Sequence, residues 1–221
     1  MFELDSHRRI TVTTEPNARP APFFVLIRGT SSVAWGVRND VSEEIADELD
    51  RMASKEPPVR DLQAPPLHAD AYLSLVGGNI VSGPAFGFPD RIVQPADVTL
   101  VDKLEDLERN FRGWNAAEIP WCSPIVAVMD GGYPISVCFC ATRNSASAVE
   151  AGVETAPVFR GRGLAARVTA GWARTIRASG RIPLYSTSWN NTASLAVSRR
   201  LGLVQYACDW SLVENNRTQG G

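Results

Sequence analysis

Val153-Glu154-Thr155-Ala156-Pro157-Val158-Phe159-Arg160-Gly161-Arg162-Gly163-Leu164-Ala165-Ala166 decides the fold. A strand-like run ends at Thr155, Pro157 closes it, and two glycines flank Arg162 just ahead of a helical pattern that begins near Leu164. The stretch therefore reads as strand, tight loop and helix start. Without a Cβ, Gly161 and Gly163 let the backbone turn sharply and approach a ligand, and the first free N–H groups of the helix point into the same concavity. Such a loop holds an anion, most often a phosphate.

Two ligand classes fit the glycines. Gly161 to Ala166 matches the G-x-G-x-x-G/A dinucleotide fingerprint, but that fold needs an acidic residue about 20 positions on to hold the ribose. No Asp or Glu occurs between Thr155 and Cys208; the window holds Arg160, Arg162, Arg167, Arg174, Arg177, Arg181, Arg199 and Arg200 instead. A more heavily phosphorylated ligand such as coenzyme A is favoured over NAD. Arg160-Gly161-Arg162-Gly163-Leu164-Ala165 also fits Gln/Arg-x-x-Gly-x-Gly/Ala, the signature of GNAT acyl-CoA N-acyltransferases. The resemblance extends past the loop. Thr155 to Ala165 resembles that family's fourth strand, pyrophosphate loop and third helix. Ile182 to Trp189 resembles its fifth strand, and Asn191-Thr192-Ala193-Ser194 with Arg200-Leu201-Gly202-Leu203 its fourth helix and exit.

The chain has 221 residues, 44% of them hydrophobic, enough for one generous domain or two small ones. Twenty-two basic and 24 acidic residues leave a net charge of −2, so nothing draws the whole molecule to nucleic acid or to an anionic membrane. A ligand site explains the local arginine excess better than a solvated basic helix face. No run approaches the ~18 apolar residues of a membrane helix, and Met1 to Ile10 lacks the apolar segment of a secretory signal. The expected location is the cytoplasm. Cys122, Cys138, Cys140 and Cys208 have neither metal-site spacing nor a disulfide framework, and read as buried reduced thiols with no metal.

From the N-terminus, Phe23 to Ile27 and Val33 to Val37 read as strands. Ser42 reads as the N-cap of a helix bearing Ile45, Leu49 and Met52, which Pro57 and Pro58 stop. Ala71 to Val76 fits strand or helix. Val98 to Val101 reads as a strand and Asp102-x-x-Glu105 as a capping box. Ile125 to Met129 and Tyr133 to Ala141 form a hairpin about Asp130-Gly131-Gly132, followed by a strand over Ala148 to Thr155. Leu164, Val168, Trp172 and Ile176 repeat every four residues up to Gly180, and Ala193, Val197 and Leu201 do so after Asn191. Leu203 to Ala207 and Trp210 to Val213 read as a final pair of strands. The expected fold is α/β (α+β): a GNAT-like mixed, mainly antiparallel sheet flanked by helices. Residues 92–214 form the acyltransferase domain, residues 1–91 a smaller α/β unit that shapes the acceptor site, and 215–221 a disordered tail.

Acetyl transfer from a thioester to an amine needs a held donor, a deprotonated nitrogen and a protonated thiolate. The resemblance implies acetyl-CoA as the donor. The main chain of Val153 and Thr155 would pair with its pantetheine arm, and the loop Arg160, Gly161, Arg162, Gly163, Leu164, Ala165 would take the pyrophosphate. Asn191 and Ser194 would face it from the following helix, although a plain N-cap also accounts for Asn191. The resemblance places a base at Glu150, yet strand parity puts Glu150 on the face opposite Val149, Ala151 and Val153; a β-bulge could re-aim it. Glu118 is the second candidate, and for both a surface or salt-bridged carboxylate is the plainer reading. The family often has a Tyr seven residues after the Asn to protonate the thiolate, and Ser198 stands there. Tyr185, Tyr206 or water would have to replace it. The expected partner is a small-molecule amine met by a monomer or homodimer, and the alternative is a noncatalytic acyl-CoA-binding or sensing module.

Overall fold

The computed structural model describes residues 2–13, 20–93 and 97–215. Its N-terminal part supplies β1 (Phe2–Leu4), β2 (Ile10–Thr13), β3 (Phe24–Gly29), β4 (Val33–Val37), α1 (Glu43–Ala53), α2 (Ala69–Val76) and β5 (Asn79–Gly87). There follow β6 (Thr99–Val101), α3 (Leu104–Glu108), α4 (Ile119–Cys122), β7 (Ile125–Asp130), β8 (Tyr133–Asn144) and β9 (Ala148–Thr155). The chain closes with α5 (Leu164–Ala178), β10 (Ile182–Ser186), α6 (Thr192–Leu201) and β11 (Val204–Val213). β1 pairs with β2, and the other strands form one nine-stranded sheet in the order β4-β3-β11-β5-β10-β9-β8-β7-β6. Among these strands only β9 and β10 run parallel.

Local chemistry explains the central elements. Gly131 (φ 54°) and Gly132 (φ 83°) occupy a two-residue turn between paired Asp130 and Tyr133, the left-handed geometry whose twist suits a hairpin. Val168, Trp172 and Ile176 of α5 are wholly buried, packing with Val126, Val128, Cys138, Cys140, Val149 and Ala151 of the sheet. At ~1.5–3 kcal/mol per large apolar side chain this contact dominates the core. Alternate residues Ile125, Ala127 and Val137 face the other way, under Leu107, Phe111, Ile119 and Cys122. Leu49, Met52 and Tyr72 of α1 and α2 pack on Phe24, Leu26, Trp210 and Leu212. All four cysteines are free and buried. No helix among the described residues is long and apolar enough to cross a membrane.

Several expectations need correction. β5 sits between β11 and β10, so strands from both sides of the expected 91/92 boundary share one sheet. Residues 71–76 are helical. β11 is one continuous strand, with an irregularity between Gln205 and Ala207 where two strands were expected. β10 stops at Ser186, and the chain beyond it turns to β5, Thr187 N–H donating to Pro84 O at 3.3 Å and Trp189 N–H to Ser82 O at 3.4 Å. Gly83 permits that approach, since a Cβ there would lie 1.7 Å from Thr187 O. Ser42 stands at the N-cap of α1 as expected but makes no side-chain cap bond, whereas α3 has Lys103 rather than Asp102 at its N-cap. Of the tail, residues 216–221 lie outside the described residues.

The arginine window has a structural share that the sequence did not disclose. Arg177 donates to the carbonyls of Phe88, Pro89 and Asp90, Arg174 to that of Ile92, and Arg167 pairs with Asp97. These side chains fasten Phe88 to Asp90, Ile92 and Asp97 to α5. Gly171 lets Val98 come close, for a Cβ on the glycine would meet Val98 Cγ1 at 2.6 Å.

Candidate functional site

The parallel ladder between β9 and β10 is short: Ile182, Pro183 and Leu184 oppose Ala148, Val149 and Glu150, and there it ends. β9 continues to Thr155, still paired on its far edge with β8. The two strands diverge, and a cavity of about 860 Å³ opens between them. Ala151, Val153 and Thr155 line one wall and Tyr185, Ser186 and Thr187 the other. A strand edge released from its ladder presents main-chain groups that can pair with an extended ligand.

The mouth of the cavity is the glycine loop. Gly161 (φ 77°) and Gly163 (φ 76°) both occupy the left-handed region, and Gly163 is the N-cap of α5. The loop thereby directs the open end of a fifteen-residue helix at the cavity, where the helix dipole favours a bound anion. Arg160, Gly161, Gly163, Leu164 and Ala165 line it, as do Asn191 and Ser194. Arg162 does not: it donates to Val158 O at 3.3 Å and lies over the Phe159 ring. Asn191 lines the cavity, and its Oδ1 accepts from Ser194 N–H at 3.0 Å as the cap of α6.

Arg200 joins the lining although the sequence reading places it only at the exit of the helix. It lines the cavity from α6, and a Cβ on Gly163 would lie 2.6 Å from its Nη1. The signal was present: Ala193, Ala196 and Arg200 follow helical spacing on α6, and all three line the cavity. Arg112, in the turn after α3, adds a cation to the same lining.

The proton-transfer candidates separate. Glu150 projects to the face away from Val149 and Ala151, as parity required; the β8–β9 register does shift beside it, between Cys140 opposite Ala151 and Asn144 opposite Val149, without turning the side chain to the other face. It accepts a hydrogen bond from Ser186 Oγ, and Ser186 lines the cavity, so the carboxylate stands beside the point where the strands part. Its charge, after burial, helps push the Tyr206 phenol upward. Glu118, at the start of α4, accepts from Asn115 N–H at 3.2 Å and lines no part of the cavity. Ser198 is 3% exposed and donates to Leu195 O at 2.9 Å inside its own helix. It follows Ser194 on one face of α6, but a serine is too short to reach the cavity from there. Burial raises the Cys122 thiol to about 11 and also raises those of Cys138 and Cys140, so these thiols stay protonated and offer no nucleophile.

Comparison with known proteins agrees with this geometry. Residues 125–208 match the family model described as GNAT acetyltransferase. None of the curated proteins matches the chain. Among solved structures, the chain is similar to a GNAT-family acetyltransferase of Novosphingobium aromaticivorans, at 18% identity and TM-score 0.51, over 62% of this chain and 66% of that one. It is also similar to an acetyltransferase of the GNAT family from Colwellia psychrerythraea, at 13% identity and TM-score 0.52, over 81% of this chain and 76% of that one. A Salmonella typhimurium acetyltransferase, described with its cofactor acetyl-CoA, aligns at 13% identity and TM-score 0.41, over 56% of this chain and 95% of that one. At these identities the likeness concerns the fold.

Proposed function

We propose that the chain is an acetyl-CoA-dependent N-acetyltransferase, since residues 125–208 match the GNAT acetyltransferase family model. It moves an acetyl group to the primary amine of a small-molecule or amino-acid-like acceptor by direct attack in a ternary complex. The observation that carries this reading is the cavity between diverging β9 and β10, closed at one end by a left-handed glycine loop on the N-terminus of α5. Its residues suit acetyl-CoA. The loop and Arg200 would take the pyrophosphate, and the edge of β9 at Val153 and Thr155 would take the pantetheine arm. Bound there, acetyl-CoA supplies a thioester carbonyl and a thiol leaving group. Glu150, held by Ser186, accepts the proton that the amine loses. Four buried, unpaired thiols suit a reducing compartment, and a cytoplasmic monomer or homodimer goes with this reading.

The loop is tested by Gly163→Asp. An L-residue is strained at φ 76°, and the new carboxylate would stand against the Arg200 guanidinium and draw it from the ligand. Acetyl-CoA affinity should fall at least tenfold, about 1.4 kcal/mol. An unchanged titration in the folded variant contradicts the assignment. The binding-only alternative gains from Ser198, whose hydroxyl is spent inside its helix. Release of thiol from acetyl-CoA that depends on an added amine distinguishes the two.

A further inference from the structure

We propose that Tyr185 is the proton donor to the departing thiolate, its phenol oriented by Ser194; this rests on the acetyl-CoA reading above. Consecutive residues of β10 point to opposite sides of the sheet, and here they do so where β9 and β10 part. Ser186 turns to Glu150, whereas Tyr185 turns to α6, where its Oη lies 2.6 Å from Ser194 Oγ. Both tyrosine and serine line the cavity. Tyr185 in the cavity lining and Glu150, which stands behind that lining through Ser186, thus lie on opposite faces of the sheet, which keeps them from neutralising each other directly.

Tyr185 is 2% exposed, and its ring packs near Phe86 with centroids 6.4 Å apart, so its position is fixed. The described hydroxyls lining the cavity belong to Thr155, Tyr185, Ser186, Thr187 and Ser194. Only a phenol, with an ordinary pKa near 10, is acidic enough to protonate a thiolate near 8.5 at modest cost. Burial raises this phenol further, and the bond to Ser194 opposes part of that rise, so it enters the reaction protonated. Cys138 of β8 is the titratable neighbour, and burial keeps it neutral.

The step balances. The amine lone pair forms the N–C bond, and Glu150 takes the N–H proton. The C–S bond breaks with its electron pair on sulfur, and Tyr185 Oη gives sulfur its proton. Ser194 Oγ then donates to the phenolate, which recovers a proton through solvent while Glu150 loses one.

The test needs no knowledge of the acceptor. A donor aimed at sulfur stabilises the thiolate, so it lowers the thiol pKa of bound coenzyme A. Thiolate absorbance would be titrated for coenzyme A on the full chain and on Tyr185→Phe, each against desulfo-coenzyme A to cancel the protein's own groups. The bound thiol should titrate about one unit lower in the wild type than in the variant, a tenfold change in its ionisation. Turnover should fall only about tenfold, because a thiol near 8.5 already leaves tolerably near neutral pH. Should Tyr185→Phe fail to fold, Ser194→Ala keeps the phenol and removes its partner, and the shift should go the same way. Equal thiol titrations at equal coenzyme A affinity overturn the proposal. Failure of the folded wild type to bind coenzyme A overturns the acetyl-CoA reading as well, and that outcome is distinct.

Discussion

Glu150→Gln is expected to leave acetyl-CoA affinity intact and to cut turnover at neutral pH by ~10²-fold or more. The size follows from the acceptor. An alkylamine with an ordinary pKa near 10.4 is almost wholly protonated at pH 7, and a positioned base recovers much of that deficit. Glutamine keeps the shape and can still accept from Ser186, but it cannot take the proton. The deficit should therefore shrink as pH rises and free amine becomes abundant. If the carboxylate serves only to hold the two strands together through Ser186, the variant would melt earlier while its surviving folded fraction turned over near the wild-type rate. The pH profile of turnover separates these outcomes.

A chain that begins at Arg91 is expected not to yield soluble, active protein. β5 pairs with β11 from Asn79 opposite Val213 to Gly87 opposite Val204, and with β10 through Ala85, Phe86 and Gly87. Its removal would strip one edge from each of two central strands and take Phe86 from the main core. It would also remove the carbonyls of Phe88, Pro89 and Asp90 that Arg177 holds. Two unpaired strand edges facing each other across an apolar gap invite aggregation. Sedimentation of the truncated chain with an activity assay decides the matter, and a soluble, fully active product would show that the N-terminal part is dispensable.

Local signals made the glycine loop, the Gly131-Gly132 hairpin, the buried stripe of α5 and the Asn191 cap legible in the sequence. In each the residues that set the geometry are neighbours along the chain. The place of β5 was not legible, because Asn79 to Gly87 joins strands about a hundred or more residues away, and nothing in its own pattern names β10 or β11 as partners. The structural share of the arginines was hidden for the same reason: Arg174 and Arg177 spend their donors on carbonyls some eighty positions earlier. Within the site, parity gave the side of the sheet for Glu150 but not its bond to Ser186, which depends on where the β9–β10 ladder stops. Arg200 followed helical spacing from Ala193 yet read as the helix exit, since its closeness to Gly163 arises only when α5 and α6 pack.

The gap between β9 and β10 is the proposed acetyl-CoA site. The most direct measurement is a crystal structure of the full chain grown with coenzyme A. The pyrophosphate should lie against residues 160–165 and Arg200, with the pantetheine arm along Val153 and Thr155 and the sulfur between Glu150 and Tyr185. Coenzyme A bound elsewhere on the molecule, with this gap left to solvent, would contradict the account.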